Sequence, residues 1–312
     1  MDYTEIKSLK ELGDKLKERL DVIAKNEKGI TGISSGFDKL DSLTNGFQPS
    51  NLILIGGVAG MGSTAFALSL INKMTLENQC SIAYFSLELT AQQLMMRIIS
   101  QQTTIATEKF RLGLLNENEI ELVSQKLEEL EEAPLFIIDY PFLTVSDIEH
   151  KIYELICPNY GVDLIMIDML HLIGNNSKDK VDKVLNKKEL AMITFQLKKL
   201  AEKLNITIIV FVQLKEKLYG HGFYKRPLLS DIRKHAPIDK YADLILFLYR
   251  PEYYRIDEWD DDDASPTAGE AEIIVAKNSY GSIGNARVKF TGNLGGFDNL
   301  PIYDKTDSDL PF

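Results

Sequence analysis

Apolar positions recur along the chain in two rhythms. Over residues 4 to 25, Ile6, Leu9, Leu12, Leu16, Leu20 and Ile23 fall at steps of three or four, the spacing that lays one apolar stripe along a helix. Gly13 weakens that helix, and the stripe has to be buried on the main body or on a neighbouring subunit. From Asn51 onward the rhythm changes to short apolar runs alternating with helical patterns. NLILIGG precedes a helical pattern at 63 to 77, SIAYFSL one at 90 to 103, PLFIIDY one at 144 to 156, VDLIMIDML one at 187 to 204, and ITIIVFVQL follows. Two more helices, near 103 to 112 and 116 to 132, fall between the second and third runs. This alternation predicts an α/β fold, a mainly parallel sheet with helices on both faces, preceded by an amphipathic helical arm. YADLILFLYR, GEAEIIVAK and ARVKFTG have no long helix between them, so the sheet is expected to finish with antiparallel strands.

The 312 residues, 45% hydrophobic and 26% charged, suffice for a full core. A formal charge of -11 argues against a uniformly basic coat while leaving room for a local basic channel. Cys80 and Cys157 are the only cysteines and sit in largely apolar surroundings, and the four histidines have no metal-ligand spacing, so neither a disulfide framework nor a zinc site is expected. No apolar run approaches the roughly 18 residues of a membrane span, and the N-terminus lacks a signal-peptide apolar region. A cytoplasmic protein with no membrane partner is expected. Residues 174 to 183 and the acidic stretch 257 to 270 read as mobile loops.

Gly57, Val58, Ala59, Gly60, Met61, Gly62, Ser63 and Thr64 follow an apolar strand and open a helix. In that context glycines let backbone N–H groups converge on phosphate oxygens, and the helix N-terminus adds positive potential. Thr64 sits where a phosphate-loop hydroxyl holds Mg²⁺, but Ser63 stands where lysine is expected, which removes the cation that contacts the β and γ phosphates. Asp168 ends the apolar strand LIMID, where a carboxylate is costly unless it meets a metal, a water or a donor. Glu88 follows the second strand on the same carboxyl edge of the sheet, placed to orient or deprotonate a water.

At this point the chain resembles the C-terminal motor domain of the DnaB-type replicative helicases, a ring-forming branch of the RecA-like ATPases. The resemblance runs from about residue 29 and is carried by TGISSGFDKLDSLTNGFQPSNLILIGG, FSLELTAQQLMMRI, LIMIDMLHLI, LKKLAEKLNITIIVFVQL, KRPLLSDIR and ADLILFLYR, in that order. It implies a RecA fold, a hexameric ring, ATP and Mg²⁺ at subunit interfaces, and single-stranded DNA in a central channel. It also divides the chain into a linker-type helix at 1–28, docking on the adjacent subunit, a motor domain at 29–303 and an acidic tail at 304–312. The family's separate N-terminal scaffolding domain has no counterpart in this sequence.

Carried over by resemblance, Thr64 and Asp168 match the Mg²⁺ positions, Glu88 the catalytic glutamate and Gln213 the sensor, while Gly57, Gly60, Gly62, Ser63 and Thr64 form the nucleotide loop. Arg233 and Lys234 match the DNA-binding loop, although Lys234, His235 and Ala236 replace the glutamate, serine and glycine usual there. Where the family shows Lys-Gln-Arg-Asn-Gly, whose Lys and Arg reach into the next subunit's site, this chain has Lys277, Asn278, Ser279, Tyr280 and Gly281. Lysine is kept and arginine is gone. An arginine finger contributes about 10³ to 10⁵ in rate in well-studied phosphoryl transferases, and one lost charge-assisted phosphate contact costs about 1.5 to 3 kcal/mol. The tail DSDLPF is similar to the acidic tips of bacterial single-stranded DNA-binding proteins, which makes Asp307, Asp309, Pro311 and Phe312 candidates for docking a replication or repair partner.

These features favour a degenerate motor that binds nucleotide, single-stranded DNA or a helicase assembly with little hydrolysis of its own. The alternatives are an active helicase with a displaced catalytic cation and a non-enzymatic adaptor that works through its tail.

Overall fold

The computed structural model describes residues 8–11, 13, 14, 17, 30–156, 161–174, 185–215, 225–260 and 264–301. Of the expected arm, residues 9 to 11 are helical and Leu9 is exposed; the other five stripe positions, Cys157 and the tail lie outside the described residues. The described residues form a nine-stranded sheet in the order β3-β2-β4-β5-β1-β6-β7-β8-β9. Its strands are β1 (Leu52–Val58), β2 (Ile82–Ser86), β3 (Leu135–Ile138), β4 (Leu164–Asp168), β5 (Thr207–Leu214), β6 (Leu244–Tyr249), β7 (Glu270–Asn278), β8 (Gly284–Thr291) and β9 (Gly296–Asp298). The six strands β1 to β6 pair in parallel, and β7, β8 and β9 extend the sheet antiparallel to its β6 edge.

Every residue of β1, β2, β4 and β6 is buried, which requires cover on both faces and explains the continuous apolar runs. Chain direction supplies that cover. From β1 to β2 to β3 the chain moves one way along the sheet, and from β3 through β4 and β5 to β6 it moves back. With right-handed crossovers, the two sets of helices must therefore lie on opposite faces. After the short helix α1 (Asp38–Thr44), helices α2 (Ser63–Ile71), α3 (Ala91–Thr103), α4 (Thr107–Leu112) and α5 (Glu117–Glu131) pack among themselves on the first path, and α6 (Val145–Ile156) packs on α7 (Lys187–Leu204) on the return.

Helix starts follow local chemistry. The side chains of Thr90, Asn116 and Asn186 accept from backbone N–H groups of the first turn, while Gln93, Glu119 and Glu189 accept from the capping residues' own N–H. Three reciprocal caps thus fix α3, α5 and α7. The pattern at 63 to 77 divides into α2 and a wider π-helical segment at Asn72–Glu77, and a left-handed Thr104 (φ 56°) ends α3 before α4 begins.

Of the acidic stretch, Asp261, Asp262 and Asp263 lie outside the described residues, while the flanks at 257–260 and 264–270 are tied down more closely than a mobile loop suggests. Trp259 is buried, with its indole N–H donating to Glu270 at 2.8 Å and its backbone N–H to the Ser265 carbonyl at 2.8 Å. Arg226 clamps the same segment, donating from Nη2 to Asp260 at 2.8 Å and from Nε to buried Glu272 at 2.8 Å. Buried aromatic area and paired charge outweigh the polarity of the neighbouring aspartates.

Candidate nucleotide site

The parallel strands β1, β2, β4 and β5 end at one edge of the sheet. Neighbours β1 and β5 send their following chain to opposite faces, as do β2 and β4, which opens the crevice where α/β sheets hold ligands. Register brings the candidate residues to that edge. Ser86 pairs with Asp168, and Gly57 pairs with Gln213.

The loop after β1 needs its glycines. Gly60 and Gly62 have φ of 86° and 93°, values that side-chain-bearing residues rarely adopt. A Cβ on Gly57 would lie 2.9 Å from Ser63 Oγ, and one on Gly60 would lie 2.7 Å from the Tyr253 ring. Gly62 caps α2 without a side-chain hydrogen bond, so the first N–H groups of this nine-residue helix have no side-chain cap, an arrangement suited to an anion. Ser63 is the first residue of that helix and brings no charge.

Thr64 Oγ1 donates to Asp168 Oδ2 at 2.8 Å, and the Tyr84 hydroxyl donates to the same oxygen at 3.1 Å. Asp168 is 3% exposed, and its Oδ1 has no partner among the described residues. A buried carboxylate oxygen without a donor, beside a threonine hydroxyl, fits a hard divalent cation or its bound water. Burial pushes the Asp168 carboxyl up from the ordinary aspartate value, and the Thr64 and Tyr84 donors oppose that push.

Glu88 lies exposed just past β2, and its charge acts on Asp168, Tyr84 and His171. The turn that presents it is fixed by Ser86, whose hydroxyl donates to the Leu89 carbonyl at 2.6 Å, and by the Leu87 N–H, which donates to the Asp168 carbonyl at 2.9 Å. Gln213 is the one exposed residue of β5. Thr64, Asp168, Glu88 and Gln213 therefore share one carboxyl edge with the loop.

A family model for the DnaB-like helicase C-terminal domain matches residues 32–299. The chain belongs to that family. It is 36% identical over 287 residues to the replicative DNA helicase DnaB of Haemophilus influenzae, covering 91% of this chain and 59% of that protein. It is 33% identical over 294 residues to the DnaB of Geobacillus stearothermophilus, covering 94% and 62%. The chain thus spans about three fifths of these relatives. Among solved structures, an ATPase domain aligns with a TM-score of 0.83 at 28% identity, covering 95% of this chain and all of that one. A DnaB-like replicative helicase, solved for its interactions with primase, aligns with a TM-score of 0.77 at 28% identity, covering 95% and 68%. These likenesses make the fold that of a RecA-like DnaB ATPase domain.

Within this DnaB-family fold the remaining candidates stand apart from the crevice residues. Lys277 lies on β7 with Nζ donating to the carbonyl oxygens of Asp239 and Ala242 at 2.9 and 2.5 Å, so its ammonium is held within its own chain. Ser279 and Tyr280 are exposed on the β7–β8 hairpin, whose turn is shaped by Asn278 accepting from the Tyr280 N–H at 3.0 Å. Arg233 and Lys234 lie on α8 (Leu229–His235). Arg233 Nε donates to Asp239 at 2.7 Å, and Lys234 approaches Asp231 at 3.6 Å. The tail candidates Asp307, Asp309, Pro311 and Phe312 lie outside the described residues.

Sequence reasoning missed Tyr84 and Arg250. Arg250 Nη1 donates to the Gly60 carbonyl at 3.1 Å, and its guanidinium lies 3.7 Å from the centre of the Phe290 ring. The signals were an isolated hydroxyl inside an apolar strand and an arginine ending another. Neither names its partner. Among the described residues no group of three or more metal-type ligands occurs, and no helix is long and apolar enough to cross a membrane.

Proposed function

We propose that this chain is a degenerate DnaB-family motor that binds ATP with Mg²⁺ and single-stranded DNA and hydrolyses ATP weakly by itself. The observation that carries this reading is Ser63 at the first position of α2, beside a Thr64–Asp168 pair that remains in place at 2.8 Å. The loop amides would bind the phosphates, Thr64 and Asp168 would hold the cation, Glu88 would orient the attacking water, and Gln213 would meet the terminal phosphate. Bound Mg²⁺ would neutralise charge on the phosphate oxygens. Missing from the chain are the loop lysine and the arginine replaced by Ser279, and Lys277 supplies neither while its ammonium is tied to Asp239 and Ala242.

Ring assembly is part of the proposal. Helix α5 has no buried residue, and Ile120 and Leu127 on it and Leu112 and Leu114 just before it are exposed, an apolar corner of the kind that an adjacent subunit covers. The role follows as a cytoplasmic subunit in DNA replication or its mobile-element equivalent. Thermal unfolding with Mg²⁺ and ATP, alongside an assay of phosphate release, tests the reading: stabilisation with at most slow phosphate release is expected, and no stabilisation by any nucleotide overturns it.

A further inference from the structure

Tyr84 occupies the middle of β2, fully buried, between β3 and β4. A strand position enclosed on both faces is filled most cheaply by an aliphatic side chain, because a buried hydroxyl costs free energy unless it is hydrogen-bonded. Here the phenol finds its acceptor in Asp168 Oδ2 at 3.1 Å, 84 residues away. That oxygen takes a second donor from Thr64 at 2.8 Å, and Oδ1 is left buried with none among the described residues. The carboxylate is held from one side only. Two donors on one oxygen restrict rotation about the Cβ–Cγ bond and leave the other oxygen open to a further donor or a cation.

We propose that Tyr84 is a positioning residue for Asp168, directing Oδ1 toward the cation that accompanies a bound nucleotide. The inference rests on the nucleotide reading above. Thr64 has to serve both the cation and the carboxylate, whereas Tyr84, rigid in its strand, holds Asp168 whether or not the cation is present. Without the hydroxyl, the carboxylate can rotate between orientations of which only some meet the cation.

The test compares the unaltered protein with Tyr84→Phe and Tyr84→Leu in saturating ADP, following the unfolding midpoint as Mg²⁺ is titrated and separately with EDTA. Loss of a hydrogen bond to a charged acceptor predicts that Tyr84→Phe needs about tenfold more Mg²⁺ for half of the metal-dependent shift. Its metal-free ADP shift should stay unchanged, and Tyr84→Leu should move the Mg²⁺ midpoint in the same direction. An unchanged Mg²⁺ midpoint in Tyr84→Phe overturns the inference, as does an equal loss in EDTA or an effect confined to Tyr84→Leu, which would mark packing alone. If the unaltered protein shows no ADP response with or without Mg²⁺, the nucleotide reading itself fails and the role of Tyr84 falls with it.

Discussion

Lys277 and Arg233 are both held by Asp239. Lys277 Nζ lies 2.9 Å from the Asp239 carbonyl oxygen, while Arg233 Nε lies 2.7 Å from its carboxylate. The cation that resemblance assigns to the neighbouring subunit's site and the one that it assigns to DNA are thus anchored at one residue of their own chain. The Asp239 side chain is 9% exposed and that of Arg233 is 60% exposed, so the ion pair is screened and contributes at most about 1 kcal/mol.

A weak pair can be displaced by a phosphate. Asp239→Asn should therefore tighten single-stranded DNA binding by about two- to fivefold at low salt, measured by fluorescence anisotropy of a labelled oligonucleotide. Arg233→Ala should weaken it and flatten its salt dependence. Equal affinity in all three proteins would remove α8 from the DNA surface.

Restoring charge at the loop tests the other half of the site. Ser63→Lys adds the phosphate contact that the chain lacks and should raise ATP affinity about ten- to a hundredfold, read by calorimetry. An unchanged affinity would mean that phosphates do not sit over the start of α2.

Asp168 makes a prediction about pH. Its folded-state pKa is raised by burial, so the native protein keeps this proton at a pH where the unfolded chain has lost it. The ionised carboxylate therefore costs stability above its folded pKa, and the cost is relieved as pH falls toward the unfolded value. Asp168→Asn should accordingly unfold at a slightly higher temperature than the unaltered protein at neutral pH without ligand. The difference should shrink in acid, and the variant should lose the Mg²⁺-dependent part of nucleotide stabilisation. A lower midpoint for the variant at neutral pH without ligand would contradict this sign.

The only tryptophan reports on the acidic stretch. Arg226→Ala takes from Glu272, 3% exposed, the guanidinium that donates to it at 2.8 Å and leaves it only the Arg287 charge across the β7–β8 pair, and should cost about 1.5 to 3 kcal/mol, seen in urea unfolding. Red-shifted emission from Trp259 should accompany it. Unchanged emission and stability would show that Arg226 does not hold this segment.

Much of this architecture is legible in the sequence because the strands are enclosed. LILIGGV, IAYFS, LIMID and LILFLY are dominated by apolar residues because both faces are covered, with Tyr84, Ser86 and Asp168 among the few polar groups inside them, and the boundaries of α7 coincide with its helical pattern at 187 to 204. Short pieces escape such reading. Helices α1 (Asp38–Thr44) and α8 and strand β9 span seven, seven and three residues, too few for a period to declare itself. Within the site, Thr64, Asp168 and Glu88 are legible because a glycine loop and two strand ends mark them. Tyr84 and Arg250 are not, since their partners lie 84 and 190 residues away and no local spacing encodes such contacts. The anchoring of Asp260 depends in the same way on Arg226, 34 residues upstream.

Steady-state ATP hydrolysis with Mg²⁺, with and without single-stranded DNA, tests the central claim most directly when the unaltered protein is run beside Ser63→Lys and Asp168→Asn. The account predicts no DNA-stimulated turnover in the unaltered protein or in Asp168→Asn, and a measurable gain in Ser63→Lys. DNA-stimulated turnover in the unaltered protein, abolished by Asp168→Asn, would contradict it and identify a working motor whose phosphate cation comes from elsewhere.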